Sequence, residues 1–170
     1  SLGSFLELVP LALVSVLLAL AGFAYVKTFY GAHALFKKLP IKRHFRPAVG
    51  AGAAGLFAAL LFWMSRGDRT VLSVLSAGYR AVQDALTPGV ALSIGALLTV
   101  ALGKIITTSL TIGSGGSGGV FGPSMVIGGT LGGAAGQYLH SIWPEVVSQP
   151  RAYVIIGMAG FFSGVAHAPP

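Results

Sequence analysis

The part of this sequence with the most chemical potential is main chain. Gly113-Ser114-Gly115-Gly116-Ser117-Gly118-Gly119 runs directly into Val120-Phe121-Gly122-Pro123 without a charged side chain, and Lys104 and the pair Thr107-Thr108 lie just upstream. Side chains offer less. The carboxylates Glu7, Asp68, Asp84 and Glu145 stand outside the apolar runs and form no proton relay. His33, His44, His140 and His167 share no metal-like spacing and read as boundary or loop residues. With no Cys, disulfides, Cys-ligated zinc and a thiol nucleophile are excluded, and neither an enzyme nor a metal or organic cofactor is expected. The hydroxyls of Thr107, Thr108, Ser114 and Ser117 read first as donors to their own helix carbonyls. Bare backbone remains. If a helix restarts at Pro123, placed at its first position, the amides of Val120, Phe121 and Gly122 have no intrahelical acceptor. The helix dipole adds roughly half a positive charge there, and such an end attracts anions.

The glycine run admits other readings. A flexible linker joins solvated domains, whereas this run has apolar sequence on both sides. Gly113, Gly115 and Gly118 satisfy G-x-G-x-x-G, but no soluble strand precedes them and no acid lies about 20 residues on. A Walker loop needs Gly-Lys-Ser/Thr where Gly119-Val120-Phe121 stands. Two readings survive: a turn between two spans at the membrane surface, or a break inside the membrane, where irregular backbone must be enclosed by protein or line a cavity. In the second, partial charges suit a transit site, because a full charge in low dielectric would hold a small anion too tightly to release it. Phe121 is then either an apolar wall turning its positive edge to the anion or a packing aromatic. Lys104 is either an electrostatic auxiliary that concentrates anions or a residue that snorkels or pairs with an acid.

The elements that must position this segment are apolar helices. Of 170 residues, 54% are hydrophobic and 9% charged, and the mean hydropathy is +0.82, which argues against a water-soluble globule. The net charge of +7 does not form the aromatic-interleaved surface of a nucleic-acid binder. Six of the eleven basic residues (Lys27, Lys37, Lys38, Lys42, Arg43, Arg46) lie in segment 27–46 without an acid, so that segment is expected to be a cytoplasmic loop. Spans are expected at about 8–26, 47–65, 90–112, 123–143 and 153–166, with a polar far-side connection carrying Arg66, Asp68, Arg69, Arg80 and Asp84 and a short helix over 73–86. Residues 105–144 contain no Asp, Glu, Lys or Arg, about twice the length of one span, so the glycines must interrupt them. Gly128, Gly132 and Gly136 leave one face of the following helix nearly bare, for a close-packed neighbour. The opening Ser1 and the final Ala168-Pro169-Pro170 read as the ends of a fragment. The expected class is an all-α, multi-pass integral membrane protein.

Gly118-Gly119-Val120-Phe121-Gly122-Pro123, followed by a glycine-rich helix, resembles the G-x-F-x-P filter segment of the CLC family of chloride channels and chloride/proton antiporters. Lys104-Ile105-Ile106-Thr107-Thr108 leads into the glycines as a basic residue and Thr pair do in that family, and Gly157-Met158-Ala159-Gly160 with Ala168-Pro169 looks like a late helix of the same fold. The resemblance covers most of the chain, roughly the second of two inverted repeats. It implies a re-entrant broken helix pair, a pore whose central chloride is held by the amides of Val120 and Phe121, a homodimer with one pathway per subunit, and an N-terminal half of the same protein as partner. The family's gating glutamate and its hydroxyl-bearing stretch belong to the first repeat and match nothing here, and its pore tyrosine is expected beyond Pro170. Channel or exchanger is thus left open. The rivals are a membrane-embedded scaffold, with the glycine helix serving packing alone, and another broken-helix carrier of a larger anion.

Overall fold

The computed structural model describes residues 5–65, 69–75, 78–89 and 92–166. Arg66, Asp68, His167 and the Ala168-Pro169-Pro170 end lie outside the described residues, as do Ser1 and residues 90–91 of the third apolar segment. Among the described residues every regular element is helical: α1 (Leu8–Lys38), α2 (Arg46–Met64), α3 (Tyr79–Leu86), α4 (Ile94–Gly113), α5 (Phe121–Ile142) and α6 (Ala152–Ala166), with short 3-10 turns before α1, before α2 and at Arg69–Val74. This is the all-α class expected. Three helices, α1, α4 and the stretch Arg43–Met64, are long and apolar enough to cross a membrane.

Of segment 27–46, expected as a loop, residues 27–38 are helical and only residues 39–45 form the connection between α1 and α2. α1 continues for 31 residues to Lys38, and only Leu39 leaves the helix, ahead of Pro40. Nothing between Val26 and Pro40 breaks a helix, and Lys37 and Lys38 in the last turn complement the negative end of its dipole. At 1.5 Å per residue α1 is about 46 Å long, so it tilts across the hydrocarbon or projects from it. The expected helix over 73–86 is also divided: a 3-10 turn ends at Val74, and Gly78, at φ +80°, starts α3. A left-handed backbone of that kind costs glycine nothing and other residues a Cβ clash.

α5 is the centre of the bundle. Ser124 and all residues from Val126 to Ala134 are buried. One core joins it to α1, α4 and α6 through Val14, Leu18, Ala101, Ile105, Ile127 and Phe161, and a second joins it to α3, α4 and α6 through Val82, Leu97, Val100, Val126 and Val154. Burial on all sides explains why the least apolar of the long helices is tolerated. Its glycines meet α6: a Cβ at Gly128 would collide with the Gly157 carbonyl, and one at Gly132 with the Tyr153 carbonyl. Within lipid, helices associate by such close backbone contact and dispersion, since the hydrocarbon is as apolar as the interface.

Candidate functional site

α4 stops by a backbone device that composition alone did not reveal. The amide of Gly116 donates to the Thr111 carbonyl at 3.1 Å and that of Gly115 to the Ile112 carbonyl at 2.9 Å, with Gly115 at φ +95°. These paired bonds and the left-handed residue form a Schellman cap, so α4 runs through Gly113 and the break comprises residues 114–120. The first glycine of the run is thus the last residue of α4, one residue beyond the expected limit of the span over 90–112.

α5 begins at Phe121, two residues before Pro123, and the Val120 carbonyl accepts the first helical bond, from Ser124 N at 3.0 Å. Pro123 is therefore at the third helical position, correcting its expected place at the first. The physics is unchanged, because no amide in the first turn has an intrahelical acceptor and a proline anywhere in that turn forfeits nothing. Val120 provides no side-chain cap, and the amides of Val120, Phe121 and Gly122 donate to no acceptor among the described residues. Val120 is 43% exposed and Phe121 54%.

The depth of this helix start is fixed by its neighbours. The Phe121 ring meets Phe162 edge-on at 4.8 Å between centroids, Phe161 packs on Tyr25 at 6.0 Å, and a Cβ at Gly22 would touch Val165. α5 thus starts level with residues 22–25, near the middle of α1. α4 ends further along, where His33 donates from Nδ1 to the Gly113 carbonyl at 3.0 Å. About ten residues of helix separate the two levels, roughly 15 Å. Segment 114–120 climbs back into the bundle over that distance.

On the other side of the segment, Gly118, Gly119 and Pro123 border a cavity of about 170 Å³ with Lys104, Thr107, Thr108 and Thr111. Lys104, 5% exposed, donates from Nζ to the Val74 carbonyl at 3.3 Å, and Thr107 donates to the same oxygen at 2.8 Å. The two side chains tie α4 to the last carbonyl of the 3-10 turn. Thr107 bonds the foreign Val74 carbonyl and, at 3.4 Å, the Lys104 carbonyl of its own helix, and Ser109, Thr111 and Ser114 bond carbonyls within α4. His140 stands in the last turn of α5, a helix boundary as expected, and bonds the Val147 carbonyl at 2.6 Å, whereas His33 lies inside α1 and ties that helix to the Gly113 carbonyl. Phe121 packs on Phe162 with one edge while more than half of it stays open.

Comparisons with known proteins bear on this arrangement. Residues 2–169 match the family described as voltage gated chloride channel. The chain is 32% identical over 133 residues to the chloride channel protein CLC-f of Arabidopsis thaliana, covering 72% of this chain and 16% of that one. It is 29% identical over 120 residues to the H(+)/Cl(-) exchange transporter ClcA of Vibrio parahaemolyticus, covering 71% and 24%. It is 36% identical over 77 residues to the transporter of the same name from Yersinia pestis, covering 45% and 16%. The chain spans a quarter or less of the length of these relatives.

Proposed function

The chain belongs to the voltage-gated chloride channel family and to an integral membrane protein, and from that premise we propose that it forms one wall of a chloride pathway, with the anion held by the main-chain amides of Val120 and Phe121. Gly118, Gly119 and Gly122 keep the approach clear, Pro123 stiffens the first turn without removing a needed donor, and Phe121 supplies an apolar wall. The observation that carries this reading is the start of a 22-residue helix, uncapped by any side chain, level with the middle of α1. There the dipole and three amides favour an anion, and the absence of a full charge lets it leave. The scaffold reading explains the glycines that face α6 but gives no role to the amides at the other end of α5.

Lys104 acts through space, as a cation whose field reaches the cavity beside Gly118 and Gly119. Segment 27–46 faces the cytoplasm, the rest of the pathway comes from the remainder of the same protein, and the whole protein is a homodimer. The names of the relatives divide between channel and exchanger, and the roles assigned to these residues serve either.

Gly119→Val tests the site, because a Cβ at Gly119 meets nothing within 4 Å and the fold is left intact. In the full-length protein reconstituted into liposomes, chloride flux should fall at least about tenfold, the worth of one charge-assisted hydrogen bond. Flux equal to the parent, with the variant folded, removes Val120 and Phe121 from the pathway.

A further inference from the structure

A second cavity, of about 810 Å³, opens where α1 ends, α2 begins and α4 closes. Lys37, Arg43, His44, Arg46 and His33 line it, over the buried ring of Phe36. No acid is near in sequence: none occurs between Glu7 and Asp68, nor from residue 105 to 144, and Glu7 lies at the far end of α1. One of the cations is held in place. Arg46 donates from Nε to the Ile41 carbonyl at 3.3 Å and from Nη2 to the Lys37 carbonyl at 3.5 Å, bracing the corner between α1 and α2, and the side chains of Lys37 and Arg43 remain exposed. α2 also presents its N-terminus here, with no side-chain cap and with Arg46 and Pro47 in the wall, so its dipole adds to the positive potential.

Such a chamber is too large and too highly charged for one halide. Forked guanidinium groups with an ammonium match the several oxygens of a phosphate group, and clusters of this kind beside a cytoplasmic helix end collect anionic headgroups. We propose that this cavity binds a phosphate monoester, coordinated by Lys37, Arg43 and Arg46. The site is joined to the filter segment through α4: His33 bonds the Gly113 carbonyl, and Ser114 and Gly115 belong to both the cavity wall and the Schellman turn.

The test uses the full-length protein in non-ionic detergent, and its readout is binding, independent of transport. Dioctanoyl phosphatidylinositol 4-phosphate is titrated against the parent, the double variant Lys37→Gln/Arg43→Gln, and Arg151→Gln, a change to an exposed cation at the distant start of α6. The parent and Arg151→Gln should bind saturably and alike, and the double variant should bind about thirtyfold more weakly, a loss of roughly fivefold for each cation near a membrane surface. Displacement by millimolar inorganic phosphate assigns the site to a soluble phosphate, and resistance to it assigns the site to a lipid headgroup. The proposal is overturned if the parent does not saturate, if the double variant binds like the parent, or if chloride displaces the ligand where gluconate at equal ionic strength does not.

Discussion

Lys104 is the residue on which electrostatics and architecture pull in different directions. Its ammonium shares the Val74 carbonyl with the Thr107 hydroxyl, so part of its role is to hold α4 to the 3-10 turn. Its charge nevertheless borders the cavity beside Gly118 and Gly119. A unit charge acting over roughly 10–15 Å at an effective dielectric of about 20 contributes on the order of 1 kcal/mol, or about fivefold. Lys104→Gln in the full-length protein should therefore raise the half-saturating chloride concentration about fivefold, with Lys104→Arg restoring it. A lowered thermal midpoint with unchanged half-saturation would leave Lys104 with the structural role alone. The position of Lys104 before the glycines was legible in the sequence, because an ionisable residue in an apolar run always demands a partner. The Val74 carbonyl was not legible as one of its acceptors, since a carbonyl exposed by the end of a 3-10 turn thirty residues upstream leaves no side-chain signature. The amides of Val120 to Gly122 were legible for the opposite reason: an apolar residue before a helix start cannot cap it, whichever of residues 121–123 comes first.

At the scale of elements, the contact between α5 and α6 decides whether the helix start is held at depth. Gly132 sits against the Tyr153 carbonyl and Gly157, where even one added carbon would force the two backbones apart. Gly132→Val in the full-length protein should lower its thermal midpoint steeply or abolish folding, as expected when close backbone packing in lipid is lost. Gly52→Ala on α2 is the matched control, because a Cβ there meets nothing within 4 Å and alanine is the better helix former by about 1 kcal/mol. Equal stability of the two variants in a thermal fluorescence assay would refute the packing role. The spacing of Gly128, Gly132 and Gly136 announced this face, since a stripe at four-residue intervals survives any error in helix limits. The limits themselves were harder to read. α1 overruns Val26 by twelve residues because lysines end a membrane segment without ending a helix, and backbone hydrogen bonding continues until Pro40 removes a donor.

For the whole molecule, the argument turns on which end of the bundle faces which compartment. α1 carries Lys37 and Lys38 at one end, and the same end bears the corner with Arg43 and Arg46 and the close of α4 at Gly113. α5 runs the other way: Gly128 lies on Gly157 and Phe161, Gly136 on Pro150 and Tyr153, and α6 begins beyond Arg151. Val14 and Leu18 of α1 share a core with Leu139 and Val147, which places the α5–α6 corner toward the N-terminal end of α1. Residues 42 and 149 are therefore at opposite ends of the bundle. Biased Lys and Arg content near span ends sets orientation, so the end with residue 42 should be cytoplasmic. In a cysteine-free background of the full-length protein, Lys42→Cys should react with a membrane-impermeant maleimide only from the cytoplasmic side and Gln149→Cys only from the other. Reaction of both from one side would mean that this bundle does not cross the bilayer along α1. The start of α5, level with the middle of that helix, would then lose its depth, and with it the reason for main-chain amides to meet an anion away from bulk water.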